Sequence, residues 1–342
     1  MWPLLCAAVS QSVRRFALIL VGLLGLALLG CGGEDDGDSA EPKDRSGTAF
    51  ERSISAASDV SASDFPAPGR ATLQDLGNRV SAVQLGLATS EFTQGENRLA
   101  FGMIGTDNQF IYGKSAVYVA PTPGDQAEGP FPAPADALVI DPPFRSRNAA
   151  VESDSVAAIY AAQLDLRPGR YAVLAVTKTP EGLVGGPASI RVRRSSPVPS
   201  VGERPPKVNT DTVASAGGDI ESIETRVPED DMHEENFADV IGKKPVVLLF
   251  ATPALCQTRV CGPVTDIAAQ LQDEYGDRAT FIHQEVYEDN DVQKGLREPL
   301  LRFGLRTEPW LFTFSADGEV AARLEGSFGT EAFRQAVEAA LD

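Results

Sequence analysis

The sequence predicts a multidomain chain in which an all-β sandwich is followed by an α/β domain. Between residues 71 and 195, apolar residues alternate with polar or small ones in short segments that Gly, Pro, Asn and Asp separate. From residue 234 onward, a continuous apolar run at Val246–Phe250 is followed by apolar residues at helical spacing. This change of period predicts a sandwich over 71–195 and an α/β domain over 234–342, with residues 196–233 as a linker or the entry segment of that second domain.

Length and charge limit the classes of protein. The chain has 342 residues, which is enough for two ordinary domains with connecting segments. Its formal net charge is −18, whereas nucleic-acid binding relies on Lys and Arg side chains that neutralise phosphates. We therefore expect a strongly hydrated surface and no nucleic-acid partner.

The first thirty residues have the pattern of a secretion signal. Arg14 and Arg15 end a basic segment, and residues 16–29 form an apolar run that is shorter than a membrane span of roughly 18 to 20 residues. The run ends in Leu29-Gly30-Cys31, which resembles the lipobox of bacterial lipoproteins. The resemblance implies a signal peptide over 1–30, a lipid on Cys31 and an extracytoplasmic protein anchored to the membrane. An ordinary signal peptide, or an uncleaved anchor, with a chance cysteine is the alternative.

Residues 31–70 are polar and acidic, with Glu34, Asp35, Asp36 and Asp38 near their start. Few large apolar residues occur among them, so the segment is expected to bury too little surface to offset its ordering entropy. We predict a disordered tether that holds the folded part of the chain away from the membrane.

One motif characterises the predicted sandwich. The sequence Leu166-Arg167-Pro168-Gly169-Arg170-Tyr171 resembles the L-x-P-G-x-Y tyrosine corner of immunoglobulin-like sandwiches. The resemblance implies that the hydroxyl of Tyr171 bonds back to the backbone and fixes a crossover between two sheets. Because residues 71–195 contain neither His nor Cys, we expect a spacer or a partner-binding module rather than a site of chemistry.

Four cysteines occur in the chain. Cys6 leaves with the predicted signal peptide and Cys31 carries the predicted lipid, so Cys256 and Cys261 are the remaining thiols. Outside the cytoplasm, such a pair is expected to form a disulfide when it is oxidised. Gly262-Pro263 precedes apolar residues at helical spacing, which places Cys261 at or just before the N-terminus of a helix.

The α/β region resembles a known family. Its predicted order is strand, cysteine-containing loop, helix, strand, helix, X-Pro, hairpin and terminal helix, with Thr330 as the N-cap of the last helix. Lys243–Pro253 resembles the lead-in to the active site of membrane-anchored thiol–disulfide oxidoreductases, and Glu308-Pro309-Trp310 stands where that family has a cis-proline and its following strand. We therefore identify residues 234–342 as similar to thioredoxin.

The resemblance implies a catalytic pair, Cys256 and Cys261, that exchanges disulfides with protein thiols or disulfides and needs no cofactor. Pro309, with Glu308 before it, would shape the substrate groove. The family has C-x-x-C, whereas this chain has four residues between the two cysteines. Residues five apart on a helix point about 140° apart, so we expect Cys256 on a loop that folds back toward Cys261.

Two other functions remain open at this point. The pair could form a static disulfide in a non-enzymatic binding lipoprotein whose thioredoxin fold is a scaffold. A copper-handling protein of this fold uses two cysteines and a histidine, but His233 and His283 do not occupy the matching position. We interpret His283, within an apolar strand, as a satisfied histidine of the core or surface and predict no metal site.

The sequence gives two arguments about which sulfur attacks. The order of the family's motif favours Cys256, because the first cysteine of that motif is the exposed nucleophile. The helix dipole favours Cys261, because partial positive charge at a helix N-terminus stabilises a thiolate. Arg259 could assist either sulfur. Access limits exchange as much as ionisation does, so we favour Cys256.

Overall fold

The computed structural model of the protein describes residues 48–147, 156–256 and 260–342. The predicted signal peptide, the lipidation site Cys31 and residue Arg259 lie outside the described residues. Among the described residues, no helix combines the length and the apolarity needed to cross a membrane.

The described residues form two zones. The N-terminal zone, up to β10, is nearly all strand, and the C-terminal zone, which contains every later helix and strand, is mixed. The α-helices are α1 (Thr48–Ser58), α2 (Leu73–Gly77), α3 (Phe237–Val240), α4 (Cys261–Tyr275), α5 (Glu298–Phe303) and α6 (Thr330–Leu341). The strands are β1 (Ser81–Ala82), β2 (Gln84–Leu87), β3 (Phe92–Thr93), β4 (Gly95–Ile104), β5 (Ser115–Ala120), β6 (Glu128–Ala133), β7 (Ala135–Ala137), β8 (Ala158–Leu166), β9 (Gly169–Thr179), β10 (Gly182–Arg193), β11 (Val246–Phe250), β12 (Thr280–Gln284), β13 (Trp310–Phe314) and β14 (Val320–Glu325).

Two sheets form the N-terminal zone. One has the strand order β1-β10-β9-β5-β6, with β3 also paired to β10, and the other has the order β2-β4-β8-β7. Their inward side chains share one core, to which β4 contributes Leu99 and Phe101 and β9 contributes Val173 and Ala175. The predicted sandwich of strands is therefore present, because alternating apolar residues of both sheets are buried against each other.

The predicted tyrosine motif lies at a crossover between these sheets. Strand β8, in one sheet, ends at Leu166, and strand β9, in the other, begins at Gly169. The hydroxyl of Tyr171 donates a hydrogen bond of 3.2 Å to the carbonyl of Arg167. The expected bond from this tyrosine to the upstream backbone is confirmed, and its role here is structural.

The C-terminal zone is built on a four-stranded sheet with the order β12-β11-β13-β14. Strand β11 pairs in parallel with β12 and antiparallel with β13. Every residue of β11 is buried, as the continuous apolar run predicts, because helices cover both faces of the sheet. Val246, Leu248 and Phe250 pack in one core with α3 and α5, whereas Val247 and Leu249 pack in the other with α4 and α6.

The prediction of a disordered tether is wrong for residues 48–70. Helix α1 occupies part of this stretch, and its residues Ile54 and Ala57 are buried in the core of the sandwich. Phe65 is buried in a second cluster, and Asp64 forms an ion pair of 3.1 Å with Lys114. A few apolar residues at suitable spacing are enough to attach the segment, although its average composition is polar.

The segment 196–233 packs against the C-terminal zone, in agreement with the alternative that it opens the second domain. Val198 and Val208 are buried in the core around β11. The backbone N–H of Gly202 donates to the carbonyl of Val320, and the N–H of Val320 donates to the carbonyl of Glu203, both at 2.9 Å. This first part of the segment therefore runs beside β14 as a component of the C-terminal zone.

Helix α6 begins differently from the prediction. Its N-cap is Gly329, not Thr330, and the free N–H groups of its first turn are satisfied from the sandwich. The carboxylate of Asp136 accepts hydrogen bonds from Gly329, Glu331 and Ala332 at 2.8, 3.1 and 3.2 Å. The hydroxyl of Thr330 instead donates to the carbonyl of Val139 at 2.9 Å. A carboxylate at a helix N-terminus caps it as well as a local hydroxyl does.

The sandwich and the C-terminal zone belong to one compact unit within Arg45–Asp342. Their backbones approach closely after β14, where Gly326 has a φ of +69°. A Cβ atom on Gly326 would lie 1.6 Å from the carbonyl oxygen of Ala88, so only glycine fits. The sandwich therefore lies directly against the segment that follows β14.

Candidate functional site

Cys261 is the first residue of helix α4, as the Gly-Pro signal predicts, and it is completely buried. The end of the buried strand β11 and the following residues Ala251 and Thr252 lead into the loop before this helix. The site therefore lies at the carboxyl end of a central strand, where the helix dipole also points its positive end.

Cys256 lies on that loop, is half-buried, and contacts Cys261 through a side-chain hydrogen bond. Both residues carry thiols in the structure. The loop thus folds back toward the helix, as predicted from the spacing of five residues. The extra residues of the motif, 257–259, lie outside the described residues.

The two sulfurs have different environments. Burial raises the pKa of the Cys261 thiol well above its ordinary value, and the hydrogen bond with Cys256 and the charges of Cys256 and Glu308 add to the effect. The backbone N–H of Thr252 opposes these contributions only in part. Burial therefore disfavours the thiolate of Cys261, and Cys256 is the more exposed of the two sulfurs.

Glu308 lies close to this pair, and Pro309 follows it in the chain. The Glu308–Pro309 peptide bond is cis, as the resemblance implied. Burial raises the pKa of the Glu308 carboxyl, and the neighbouring Cys256 raises it further. The hydroxyl of Tyr287 lies 3.5 Å from Oε1 of Glu308, and burial followed by the charge of Glu308 raises the pKa of this tyrosine. An acidic group next to the sulfurs disfavours a thiolate, as expected from the sequence.

A cleft of about 570 Å³ opens next to these residues, between the sandwich and the C-terminal zone. Val260, Tyr287 and Glu308 form the end that adjoins the cysteine loop. The sandwich contributes an apolar wall that includes Leu87, Ile104 and Phe110. The cleft thus has walls from both zones and reaches Glu308, whose charge acts on both cysteines.

The two histidines of the chain come together at a second place, where they are buried with two carboxylates. Nε2 of His233 lies 3.0 Å from Oε2 of Glu224, and Nδ1 of His283 lies 2.9 Å from Oδ2 of Asp230. The centres of the two imidazole rings are 5.2 Å apart. His283 is fully buried and hydrogen-bonded, which agrees with the interpretation of a satisfied histidine, but its partners are ionisable.

Charges dominate this buried group. Burial disfavours the imidazolium of His283, yet the charges of Glu224 and Asp230 outweigh burial and raise its pKa well above the ordinary value. Burial also opposes ionisation of Glu224, but His283 and His233 outweigh it and lower the pKa of this carboxyl. Removing any one member would leave the others buried without their counter-charge.

The sequence predicted the cysteines, Glu308 and Pro309 in one site, and the structure brings Cys256, Cys261 and Glu308 close enough to interact. The sequence prediction missed Tyr287, Glu224 and Asp230. No local motif marks Tyr287, which lies in the connection after β12. Glu224 and Asp230 occur in an acidic stretch that reads as solvated surface, and only the pairing of this stretch with β12 brings them to His283.

Comparison with known proteins gives limited similarity. No protein-family model matches the chain, and no curated protein matches it. Among solved structures, the chain is similar to a protein of Chlorobium tepidum described as thiol:disulfide interchange protein DsbE, with 16% identity, 42% of this chain and 99% of that chain covered, and a TM-score of 0.31. It is also similar to a thiol:disulfide interchange protein of the thioredoxin family from Chlorobium tepidum TLS, with 16% identity, the same coverage and a TM-score of 0.28.

The C-terminal zone has a thioredoxin-like fold. This assignment rests on the order β12-β11-β13-β14, on the mixed parallel and antiparallel pairing of β11, and on the helix that begins at Cys261 after this central strand. The fold alone does not define an activity, which depends on the residues of the site.

Proposed function

We propose that this chain is an extracytoplasmic thiol–disulfide oxidoreductase that acts through Cys256 and Cys261. The observation that carries the proposal is the contact of a half-buried thiol, Cys256, with a buried thiol, Cys261, at a helix N-terminus close to Glu308. Thiol exchange needs an accessible nucleophile and a second cysteine that resolves the mixed disulfide. The pair supplies both.

The reaction on a disulfide substrate has two steps. The thiolate of Cys256 attacks one sulfur of the substrate, a mixed disulfide forms, and the other substrate sulfur leaves as a thiolate that takes up a proton. Cys261 then loses its proton and attacks the sulfur of Cys256, which releases the second substrate thiol. The substrate gains two electrons and two protons, and the protein ends with a Cys256–Cys261 disulfide. With a dithiol partner the same steps run in reverse.

The cleft supports a protein as the substrate. Its apolar wall, with Leu87 of 36% exposure, lines the same cleft as Val260 and Glu308. A peptide segment that flanks a disulfide could bury apolar side chains here while its sulfur reaches Cys256. On this proposal the sandwich forms part of the binding surface rather than a spacer.

Single-cysteine variants test the proposal. In Cys261→Ser, attack by Cys256 still occurs but resolution does not, so mixed disulfides with partner proteins should accumulate. In Cys256→Ser, none should accumulate, because the remaining thiol is buried and its pKa is raised. Non-reducing electrophoresis followed by mass spectrometry of the trapped partners measures the outcome.

The double variant Cys256→Ser with Cys261→Ser is the control for capture that involves no thiol. The reverse pattern would transfer the nucleophilic role to Cys261. If neither single variant traps a partner although both fold, the non-enzymatic alternative with a static disulfide is favoured. A reduction potential of the pair well below about −300 mV would support that alternative as well.

We also propose that a lipid on Cys31 anchors the protein, since two acyl chains are enough for stable attachment to a membrane. Labelled palmitate should be incorporated into the wild-type chain, and Cys31→Ser should abolish the label. Cys256→Ser is the matched control and should keep it, because Cys256 is not the predicted site of lipidation. Label that persists in Cys31→Ser would contradict the anchor.

A further inference from the structure

The histidine–carboxylate group described above has the dimensions of a metal site. Nε2 of His233, Nδ1 of His283 and one oxygen each of Glu224 and Asp230 lie within 4.8 Å of one another. Oε2 of Glu224 lies 3.0 Å from the nitrogen of His233 and 3.2 Å from that of His283. Oδ2 of Asp230 lies 2.9 Å from the nitrogen of His283, and Oδ1 lies 3.7 Å from that of His233. Tetrahedral zinc with ligands at about 2.0–2.1 Å has edges of about 3.3 Å.

The orientation of His283 fits a ligand. Its Nε2 lies 3.2 Å from the carbonyl oxygen of Ala251, which accepts hydrogen bonds only. Nε2 must therefore carry a proton, and Nδ1 points at two carboxylate oxygens. In a neutral imidazole, Nδ1 then presents a lone pair to the centre of the group. Metal-ligating histidines are held in this way, with the other ring N–H donated to a backbone carbonyl.

The carboxylates are oriented in a similar way. Oε1 of Glu224 accepts a hydrogen bond of 2.7 Å from the backbone N–H of Arg226. Oδ1 of Asp230 accepts one of 2.9 Å from the N–H of Met232. Each carboxylate is thus fixed through one oxygen. The other oxygen of Glu224 lies near both histidines, and the other oxygen of Asp230 lies near His283.

We propose that Glu224, Asp230, His233 and His283 form a structural zinc site. Two carboxylates and two neutral imidazoles balance the charge of Zn²⁺, which accepts nitrogen and oxygen ligands in tetrahedral geometry. All four side chains are buried and supply the full set of four ligands. A closed site of this kind serves stability, whereas catalytic zinc keeps a position open.

The position of the group indicates which parts of the fold the zinc would join. Glu224, Asp230 and His233 belong to the segment that precedes α3, whereas His283 belongs to β12. The same segment pairs with β12 through the N–H of His283 and the carbonyl of Met232 at 3.0 Å. The hydroxyl of Thr225, next to Glu224, accepts a hydrogen bond from the N–H of Ala254 in the cysteine loop. The zinc would therefore fasten this segment to the sheet next to the thiol pair.

Metal analysis of the purified full chain tests the proposal. Protein prepared without chelators and dialysed against metal-free buffer should hold about one zinc ion per chain. X-ray absorption at the zinc edge should show nitrogen and oxygen ligands at about 2.0 Å and no sulfur. Removal of the zinc by a strong chelator should lower the thermal midpoint, and added Zn²⁺, but not Mg²⁺, should restore it.

Variants distinguish zinc at this site from zinc at Cys256 and Cys261, because cysteine thiolates are also zinc ligands. The double variant Cys256→Ser with Cys261→Ser should keep the zinc, whereas His283→Gln and Asp230→Asn should lose it. Wild-type protein that holds no zinc and takes up none when Zn²⁺ is added would overturn the proposal. The four residues would then form a buried ion cluster in which protons, rather than a metal ion, balance the carboxylates. Zinc that disappears with the cysteines, or stoichiometric copper in its place, would overturn it as well. None of these outcomes depends on the proposed exchange activity.

Discussion

Replacement of Arg226 by Met is expected to lower the free energy of unfolding by about 3–5 kcal/mol, because it leaves a buried carboxylate without its counter-charge. Nε of Arg226 donates a hydrogen bond of 2.9 Å to Oδ1 of Asp266, and the two side chains are 5% and 0% exposed. Nη1 and Nη2 donate to the carbonyls of Pro228 and Phe144 at 2.6 and 2.7 Å. Met fills a similar volume but replaces none of these bonds.

The substitution of Arg226 should also weaken the contact between the two zones. Asp266 lies on helix α4, and its Oδ2 accepts hydrogen bonds of 2.9 and 3.2 Å from the backbone N–H and the hydroxyl of Ser146. Arg226 and Asp266 therefore join helix α4, which carries Cys261, to the segment that follows β7 of the sandwich. Chemical denaturation at pH 7, followed by far-ultraviolet circular dichroism, measures the loss.

The loss should depend on pH in a definite direction. Burial raises the pKa of Asp266 in the folded protein, although Ser146 and Arg226 oppose the rise. The folded state thus binds this proton more readily than the unfolded chain, so the contribution of Asp266 to stability falls as pH rises through its folded pKa. Arg226→Met removes an opposing charge and raises that pKa further. The difference between variant and wild type should be largest near neutral pH and shrink in acid.

Arg302→Met is the matched control. Arg302 forms an ion pair of 3.3 Å with Glu298 one helical turn away, and both side chains are more than half exposed. Such surface pairs contribute about 0.3–0.5 kcal/mol. Equal losses in the two variants, or a loss in Arg226→Met that does not change with pH, would contradict the role of the buried pair.

Elements with a dense local signal were predicted well. The continuous apolar run of β11 indicated a strand buried on both faces, and Gly262-Pro263 indicated the start of α4 within a residue. The same holds for Tyr171, whose neighbours in sequence form the crossover. In each case the residues that determine the structure are adjacent in the chain.

The predictions that failed depended on distant residues. The group that caps helix α6, Asp136, lies 193 residues from Gly329, so a local rule selected Thr330 instead. Asp230 and Glu224 are 53 and 59 residues from His283, and only the strand pairing of β12 brings them within 3.2 Å of it. Segment 48–70 failed for a related reason, because Ile54 and Ala57 are buried by a sandwich that lies later in the chain.

Glu325 connects the sandwich to the loop of the cis-proline, and its replacement should affect both stability and exchange. Its side-chain oxygens accept hydrogen bonds from the backbone N–H groups of Ser90 and Glu91 at 3.0 and 2.8 Å. They also accept from the hydroxyls of Ser90 at 2.6 Å and Thr307 at 2.9 Å. Thr307 in turn accepts a hydrogen bond of 3.0 Å from the indole of Trp310. A single carboxylate thus organises residues on both sides of Pro309.

Glu325→Ala should therefore lower the free energy of unfolding by about 3 kcal/mol. Hydrogen bonds to a charged group contribute about 1.5–3 kcal/mol each, but the exposed Ser90 can replace its bonds to Glu325 with bonds to water. Burial already lowers the pKa of Arg98 to about 10, and Glu325 is one of two carboxylates that oppose this. Because Glu325, Thr307 and Glu308 all line the cleft, exchange with a protein disulfide should slow more than exchange with a small disulfide.

Glu319→Ala provides the matched control, because Glu319 forms only an exposed ion pair of 3.6 Å with Arg204. Thermal or denaturant unfolding gives the stability difference, and rates of reduction of a protein disulfide and of a small disulfide give the effect on exchange. A variant that unfolds more easily but exchanges with both substrates at wild-type rates would show that Glu325 serves the interface alone. Slower exchange with the protein substrate only would indicate that the sandwich contributes to substrate binding, since Cys256 itself is unchanged in this variant.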